Sequence, residues 1–396
     1  MLEGWKEVQF EELVSNTQLG TTERGATDGE DTIPLLKMGN LTWGGFDLRT
    51  TEKIAVRHIN GSDLTLRPGD LLFNTRNSAD LVGKSAVWRG QIAAAAFDNN
   101  INRIRLKPKA DPAFYGVYLN TGLGKRRVQS LAVGSTSVAA IYWKDLKNLR
   151  VPLPPLPEQR KIAEILRAWD EALEKLSELR AAKEHQYRAF AREFFGPCHP
   201  SFHGRPNSWQ EFELGDVFTE RSQPGEDGER LLSVTMNGGV IDRDDVGRKD
   251  TSTEDKSRYK LVLPGDIAYN TMRMWQGVSG LSTMRGIVSP AYTIVTPRQR
   301  HILGGYAAHL FKSRRMVFDF ERYSQGLTSD TWNLKFPAFS KIKLWLPPTD
   351  EQEKQANLLD AMLSEQDVLR RQIEALTRQK RGLMQKLLTG EWRVSQ

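Results

Sequence analysis

Two aspartates, Asp70 and Asp266, occur in the same tripeptide, Pro-Gly-Asp, each followed at one common spacing by Asn-Thr, at 74–75 and 270–271. Such a carboxylate could hold a divalent cation for phosphodiester cleavage, but that chemistry asks for a Glu-x-Lys at a neighbouring strand end, and neither copy has one. Pro-Gly-Asp is turn composition, and there both aspartates read as turn residues. Gly122-Leu123-Gly124-Lys125 approaches a phosphate-cradling loop, yet Leu119 stands where the first glycine belongs and Arg126 follows the lysine. Both Pro-Pro pairs follow a leucine, Leu153 or Leu346, and precede Leu156 or Thr349, so the Asp/Asn-Pro-Pro-aromatic loop of an amino-methyltransferase is missing. Cys198, His199 and His203 offer at most three metal ligands in a Pro- and Gly-rich stretch. His58, His185, His301 and His309 are scattered and form no triad with a serine. The expectation is a chain without catalytic residues, metal ligands or a cofactor of its own.

The residues that do form a pattern suit binding. Arginine, asparagine and glutamine can make paired hydrogen bonds to guanine and adenine edges. On that ground Asn74, Thr75, Arg76 and Asn77 after the first Pro-Gly-Asp turn, and Asn270, Thr271, Arg273 and Gln276 after the second, are base-reading candidates, with a turn cap as the alternative for Asn74 and Asn270. Lys125, Arg126 and Arg127 run just ahead of Gly134-Ser135-Thr136-Ser137, and Arg314 and Arg315 just ahead of Gly326-Leu327-Thr328-Ser329. These cations, with Ser135, Thr136, Thr328 and Ser329, are the phosphate-contact candidates.

The elements that must position them are written twice. Trp5-Lys6-Glu7 returns as Trp209-Gln210-Glu211, the Pro-Gly-Asp and Gly-x-Thr-Ser landmarks recur in order, and Leu153-Pro154-Pro155-Leu156-Pro157-Glu158-Gln159 returns as Leu346-Pro347-Pro348-Thr349-Asp350-Glu351-Gln352. The offset drifts between 192 and 204, as loop insertions in a duplicated fold would make it. Each copy opens with strand-like runs such as Ile101–Leu106, broken by turn residues, and ends in a stretch that predicts one long helix, from Glu158 to Phe195 and from Glu351 to about Leu388. Along the first, Trp169, Leu173, Leu176, Tyr187, Phe190 and Phe194 follow a 4,3 alternation interrupted by Arg180 and Lys183; along the second, Leu369, Ile373, Leu376, Leu383 and Leu387 do so, interrupted by Gln366 and Lys380. Polar residues at such positions fix register. The fold class expected is α/β (α+β): two β-rich mixed domains, each followed by a long helix, the helices pairing as an antiparallel coiled coil with pseudo-two-fold symmetry. The boundaries are a first lobe at 1–152, its helix at 153–195, a linker at 196–207 whose prolines and glycines forbid helix or strand, a second lobe at 208–347, its helix at 348–390 and a tail at 391–396.

The 396 residues carry 56 Lys+Arg against 49 Asp+Glu, a formal charge of +7, and 39% are apolar, enough for two or three cores. The charge is localised: +4 over residues 1–157, zero over 158–195, +3 over 196–349 and −1 over 350–391. The lobes are basic and the helices neutral, as surfaces meeting phosphate and protein respectively would be. Cys198 is the only cysteine, so no intrachain disulfide can form. No run approaches the about 18 apolar residues of a membrane helix. The opening residues lack the form of an export signal, which leads us to expect a cytoplasmic protein.

Taken together, the duplicated Pro-Pro-x-x-Glu-Gln helix starts, the paired lobes and the closing Leu387-Leu388-Thr389-Gly390-Glu391-Trp392-Arg393-Val394 resemble the specificity subunit of type I restriction–modification systems. The resemblance implies a non-catalytic DNA-binding subunit that brings two methyltransferase subunits and two restriction (translocase-nuclease) subunits to a bipartite double-stranded target, each lobe reading one half. S-adenosylmethionine would then sit in the partner methyltransferase and ATP and Mg in the partner nuclease; adenine N6 methylation and ATP-dependent cleavage would be theirs. A helix of roughly 36 residues spans on the order of 54 Å at ~1.5 Å per residue, a length that would set the unread gap. A protein-binding scaffold with two lobes on a helical spacer, and a nuclease with an unrecognised site, are the alternative functions.

Overall fold

The computed structural model describes residues 4–394 apart from 28, 60–62, 227, 237, 247–254 and 329–330. The chain divides into two compact units, one of Met1–Lys175 with Ile373–Gln396, the other of Leu176–Gln372. Each unit therefore holds a lobe together with part of both long helices.

The lobes repeat one sheet. In the first, four antiparallel strands lie in the order Val14–Leu19, Ile101–Leu106, Leu71–Asn74, Ser85–Val87. In the second the order is Phe218–Glu220, Tyr292–Pro297, Ile267–Asn270, Ser279–Leu281. The strand that leaves the Pro-Gly-Asp turn is interior to the sheet both times. Its residues are correspondingly apolar and buried, Leu71, Leu72 and Phe73 in one lobe and Ile267, Ala268 and Tyr269 in the other. A two-stranded ribbon closes each lobe, Lys6–Gln9 with Arg150–Leu153 and Gln210–Glu213 with Lys343–Leu346. The second strand of each ribbon runs directly into the Pro-Pro segment and the long helix.

The helices run from Leu156 to Phe195 and from Thr349 to Thr389, 40 and 41 residues. The first begins ahead of Glu158 because proline is tolerated in a first helical turn, where its missing N–H would be unpaired anyway, and Pro157 sits there. In the first unit Ile162 and Leu166 share a core with Phe10, Phe73, Phe114 and Tyr115 and with Leu387 and Leu388 from the second helix. In the second unit Leu359 and Met362 share a core with Phe218, Tyr306 and Phe311, against which Phe190 and Phe194 of the first helix pack. Inside each unit the helix segments are antiparallel: in the first, Ile162 and Leu166 share a core with Leu387 and Leu388 while Asp170 meets Lys380, and in the second, Lys183 lies 3.0 Å from Glu365 while Phe190 and Phe194 pack against the core that holds Leu359 and Met362. Leu369 is buried and Trp169, Leu173, Leu176, Ile373 and Leu376 are half-buried. The two lysines that interrupt the seams are thus cross-helix ion pairs, Gln366 Nε2 donates to the Lys183 carbonyl at 3.3 Å, and Arg180 is exposed.

One expectation fails. The stretch after the first helix is not free of helix: Gly196–Cys198 forms a 3-10 turn, with Pro197 in its first turn, where a missing N–H is harmless. Arg205 folds back on this turn and orders the residues between, donating to the carbonyls of Pro197, His199 and Pro200. Cys198 is buried in the second unit's core, 3.4 Å from the Tyr306 hydroxyl, and burial pushes its thiol up to about 12. His199 Nδ1 bonds to Ser201.

Candidate nucleic-acid interface

The Pro-Gly-Asp turns come first because they set the strand that carries the candidates. Gly69 and Gly265 take φ of +96° and +90°, a region open to glycine, which makes the turn tight. The Asp70 carboxylate accepts the Arg67 backbone N–H at 2.8 Å and the Arg105 Nε at 2.6 Å. Asp266 accepts the Leu263 N–H at 2.8 Å, the Arg221 Nε at 2.7 Å and the Thr296 hydroxyl at 2.6 Å. Both are buried. These carboxylates are occupied in holding turn to sheet, the role their tripeptide indicated, and the arginines that neutralise them lie beyond the reach of a local pattern, Arg105 on the strand Ile101–Leu106 and Arg221 just past the strand Phe218–Glu220.

Beyond the turn, the four candidates in the first lobe divide. Asn74 is wholly buried; its amide donates to the carbonyls of Arg76 and Asn100 at 3.0 and 3.3 Å, and its Oδ1 accepts from Asn77 at 3.0 Å. A base edge has no route to it, so Asn74 positions rather than reads. Thr75 gives its hydroxyl to the Asn100 carbonyl and Asn77 takes the Ser78 N–H. Arg76 is exposed, and among the described residues its guanidinium has no partner. The second lobe divides the same way. Asn270 accepts the Met272 N–H at 3.0 Å and Thr271 gives its hydroxyl to the Ala291 carbonyl at 2.8 Å, whereas Arg273 and Gln276 are exposed and carry side chains unpaired among the described residues.

The fold brings the hydroxyl-rich turns beside these arginines. Val133–Gly134 and Ala139–Ala140 form a hairpin whose second strand pairs with Arg76–Asn77, so Ser135 and Thr136 stand at the tip of the sheet that carries Arg76. In the second lobe a Gln325–Asn333 bridge closes the turn bearing Thr328. The attachment is the same in both copies: Ile141 N–H donates to the Thr75 carbonyl, and Leu334 N–H to the Thr271 carbonyl, both at 2.9 Å. Ser135, Thr136 and Thr328 are exposed; Ser329 lies outside the described residues.

The basic runs contribute less than their composition implied. Arg127 ties Glu7, at 2.7 Å, to the Arg150 carbonyl, at 2.8 Å; burial works against its charge, but the Glu7 and Tyr118 contacts together outweigh that and hold its pKa above the usual value. Arg315 pairs with the buried Asp319 at 2.6 Å, and burial draws its pKa down. Both are structural ion pairs rather than free phosphate ligands. Lys125 lies 3.5 Å over the Trp43 ring, and Arg126 and Arg314 remain exposed and unpaired among the described residues. Composition could not show Trp43, nor the edge-to-face pair of Trp275 and Trp332, 5.5 Å apart, that braces the second lobe's loops.

The helix starts fasten the lobes. Gln159 is fully buried, donating to the carbonyls of Lys109 and Pro154 at 3.1 and 2.8 Å and accepting the Asp111 N–H at 2.8 Å. Gln352 repeats this with the carbonyls of His301 and Pro347 and the Leu303 N–H, at 2.8, 2.9 and 3.0 Å. The Glu-Gln of the repeated motif therefore has a physical reason: the glutamine satisfies three backbone groups where helix leaves lobe.

Residues 3–183 match the type I restriction modification DNA specificity domain. A Methanocaldococcus jannaschii protein named as the putative type I restriction enzyme MjaX specificity subunit is 22% identical, over 99% of this chain and 94% of its own. The EcoKI specificity subunit of Escherichia coli K12 is 22% identical, over 92% of this chain and 84% of its own. In fold, the chain is similar to the crystal structure of the type I restriction-modification S subunit from M. genitalium, with a TM-score of 0.59 at 17% identity, over 97% of this chain and 96% of that one. Among the described residues no helix is long and apolar enough to cross a membrane.

Proposed function

We propose that this chain, a member of the type I restriction–modification specificity family that serves DNA target recognition, reads a bipartite duplex, one half with each lobe. The observation that carries the reading is the duplicated placement of one free arginine: Arg76 and Arg273 are each exposed and unpaired among the described residues, just beyond the end of the same interior strand, beside the same hydroxyl-rich turn. An unpaired guanidinium on a rigid strand end is the group best suited to bidentate contact with guanine. Arg126, Arg314, Ser135, Thr136 and Thr328 would position each lobe on the backbone, a role that carries no sequence information.

In this reading the chain directs chemistry that its partners perform. Two methyltransferase subunits, holding S-adenosylmethionine, would dock on it and methylate adenine N6 with the base flipped out of the stack. Two restriction subunits, using ATP and Mg, would complete the assembly in the cytoplasm. The long helices would set the number of unread base pairs between the halves and carry the methyltransferase docking surface. Footprinting of the chain with its methyltransferase subunit tests this. Two protected blocks flanking a gap whose bases can be changed freely are expected; one continuous block of read bases would sink the two-lobe reading.

A further inference from the structure

The two hydroxyl-rich turns differ at their tips. Where the first lobe has Ser135 after Gly134, the second has Leu327 after Gly326, and Leu327 is 100% exposed. The turn beneath it is pinned. Gly326 sits at φ +150°, and a Cβ there would come within 2.6 Å of the Thr331 carbonyl oxygen. The Gln325–Asn333 bridge, the Leu334 to Thr271 hydrogen bond and the Trp275–Trp332 ring contact hold the loop against the segment that presents Arg273. Immediately before that arginine stands Met272, itself 47% exposed.

A lone exposed leucine on a protein surface calls for no explanation. A leucine carried wholly into solvent by a glycine-pinned turn, on a loop held beside a free arginine and at the position where the other copy places a hydroxyl, is a shaped apolar probe. We propose that Leu327 makes an apolar contact to the bases of the half-site read by the second lobe, so that this lobe combines an apolar and a cationic reader where the first has only its arginine, with the Ser135 hydroxyl left to the backbone. The inference rests on the DNA reading proposed above. Two sources could supply the apolar partner: the 5-methyl group of thymine, the one apolar group displayed on a major-groove base edge, or the faces of a base step opened by an inserted side chain.

The test compares the full chain, assembled with its methyltransferase subunit, against the Leu327→Ser and Leu327→Ala variants on randomised and then fixed target duplexes. Because the side chain stands wholly in solvent, both variants should fold and assemble as the parent does. About tenfold weaker binding to the preferred duplex is expected, with base preference relaxed in one half-site and the slope of affinity against salt unchanged. Replacing thymine by uracil in that half-site separates the sources: a loss in the parent that vanishes in Leu327→Ser marks the methyl group, and no loss marks an opened step. Unaltered affinity and preference in both variants would overturn the inference while leaving DNA reading intact. A parent complex with no sequence preference would instead remove the reading on which it rests.

Discussion

In the first unit the glutamate of the helix start, Glu158, accepts the Trp5 indole N–H at 3.0 Å and the Arg393 guanidinium at 2.7 and 2.9 Å. In the second, Glu351 accepts the Gln355 amide one turn along its own helix at 2.9 Å, and the matching indole N–H, that of Trp209, is buried without a partner among the described residues. The neighbouring glutamines, Gln159 and Gln352, make the same three contacts in both. The difference comes from the segments that leave the opposing helices. The one after the second helix delivers Arg393 to Glu158, whereas the one after the first delivers Arg205, which binds local carbonyls and stacks 4.5 Å over Trp345. The duplicated fold thus depends on the glutamine fastening, and the glutamate clasp belongs to one unit alone.

Substituting the glutamines should have the largest effect. Gln159→Ala and Gln352→Ala each leave buried backbone groups without partners, and each should cost about 3 kcal/mol. Urea unfolding followed by hydrogen exchange would locate the loss in the first unit for one and the second for the other. A near-neutral result for either would break the equivalence.

Arg393→Ala comes next, at about 2 kcal/mol, because it strips one partner from a buried carboxylate while the arginine itself is partly exposed. The loss should fall on the first unit alone. It should also depend on pH. Burial opposes the charge of Glu158, but the Arg393 and Trp5 hydrogen bonds outweigh it and hold the carboxyl below its ordinary value of 4.5. A carboxyl depressed in the folded state stabilises fully above that value and ceases to do so as the pH falls through its folded pKa. The first unit should therefore lose stability on acidification below about 4.5, and Glu158→Gln should remove that acid-sensitive part. Equal acid sensitivity in the variant would contradict the clasp.

The smallest effects belong to the cross-helix pairs. Asp170→Asn and Glu365→Gln face lysines from exposed positions, and each should change stability by less than about 1 kcal/mol in thermal unfolding. A larger loss from one of them would show that the two helix segments are held unequally.

The duplication, the long helices and the lobes' mixed α+β character were legible because they rest on local signals: turn tripeptides, proline exits and a 4,3 apolar alternation. The site was legible only in part. Arg76 and Arg273 follow from their place after a turn, but Asn74 looks equally suited to a base until its burial is seen. Arg127 has its partner 120 positions away at Glu7, beyond the reach of any local pattern. Arg315 has Asp319 one helical turn along, a spacing the sequence does display and which a charge-pair reading would have caught. The turn after the first helix was hidden by its prolines and glycines, since what orders it is the fold-back of Arg205 within the same stretch and the remote contact to Tyr306, neither of which is a local pattern.

If each lobe reads its own half of one target through one free arginine, the two arginines must fail separately. Selection of bound duplexes from a randomised pool by the chain with its methyltransferase subunit, repeated with Arg76→Ala and with Arg273→Ala, tests this most directly. Each substitution should relax a separate block of bases, at about 1–3 kcal/mol of lost discrimination, with the spacing between blocks unchanged. Relaxation of the same block by both variants, or of neither, would contradict it.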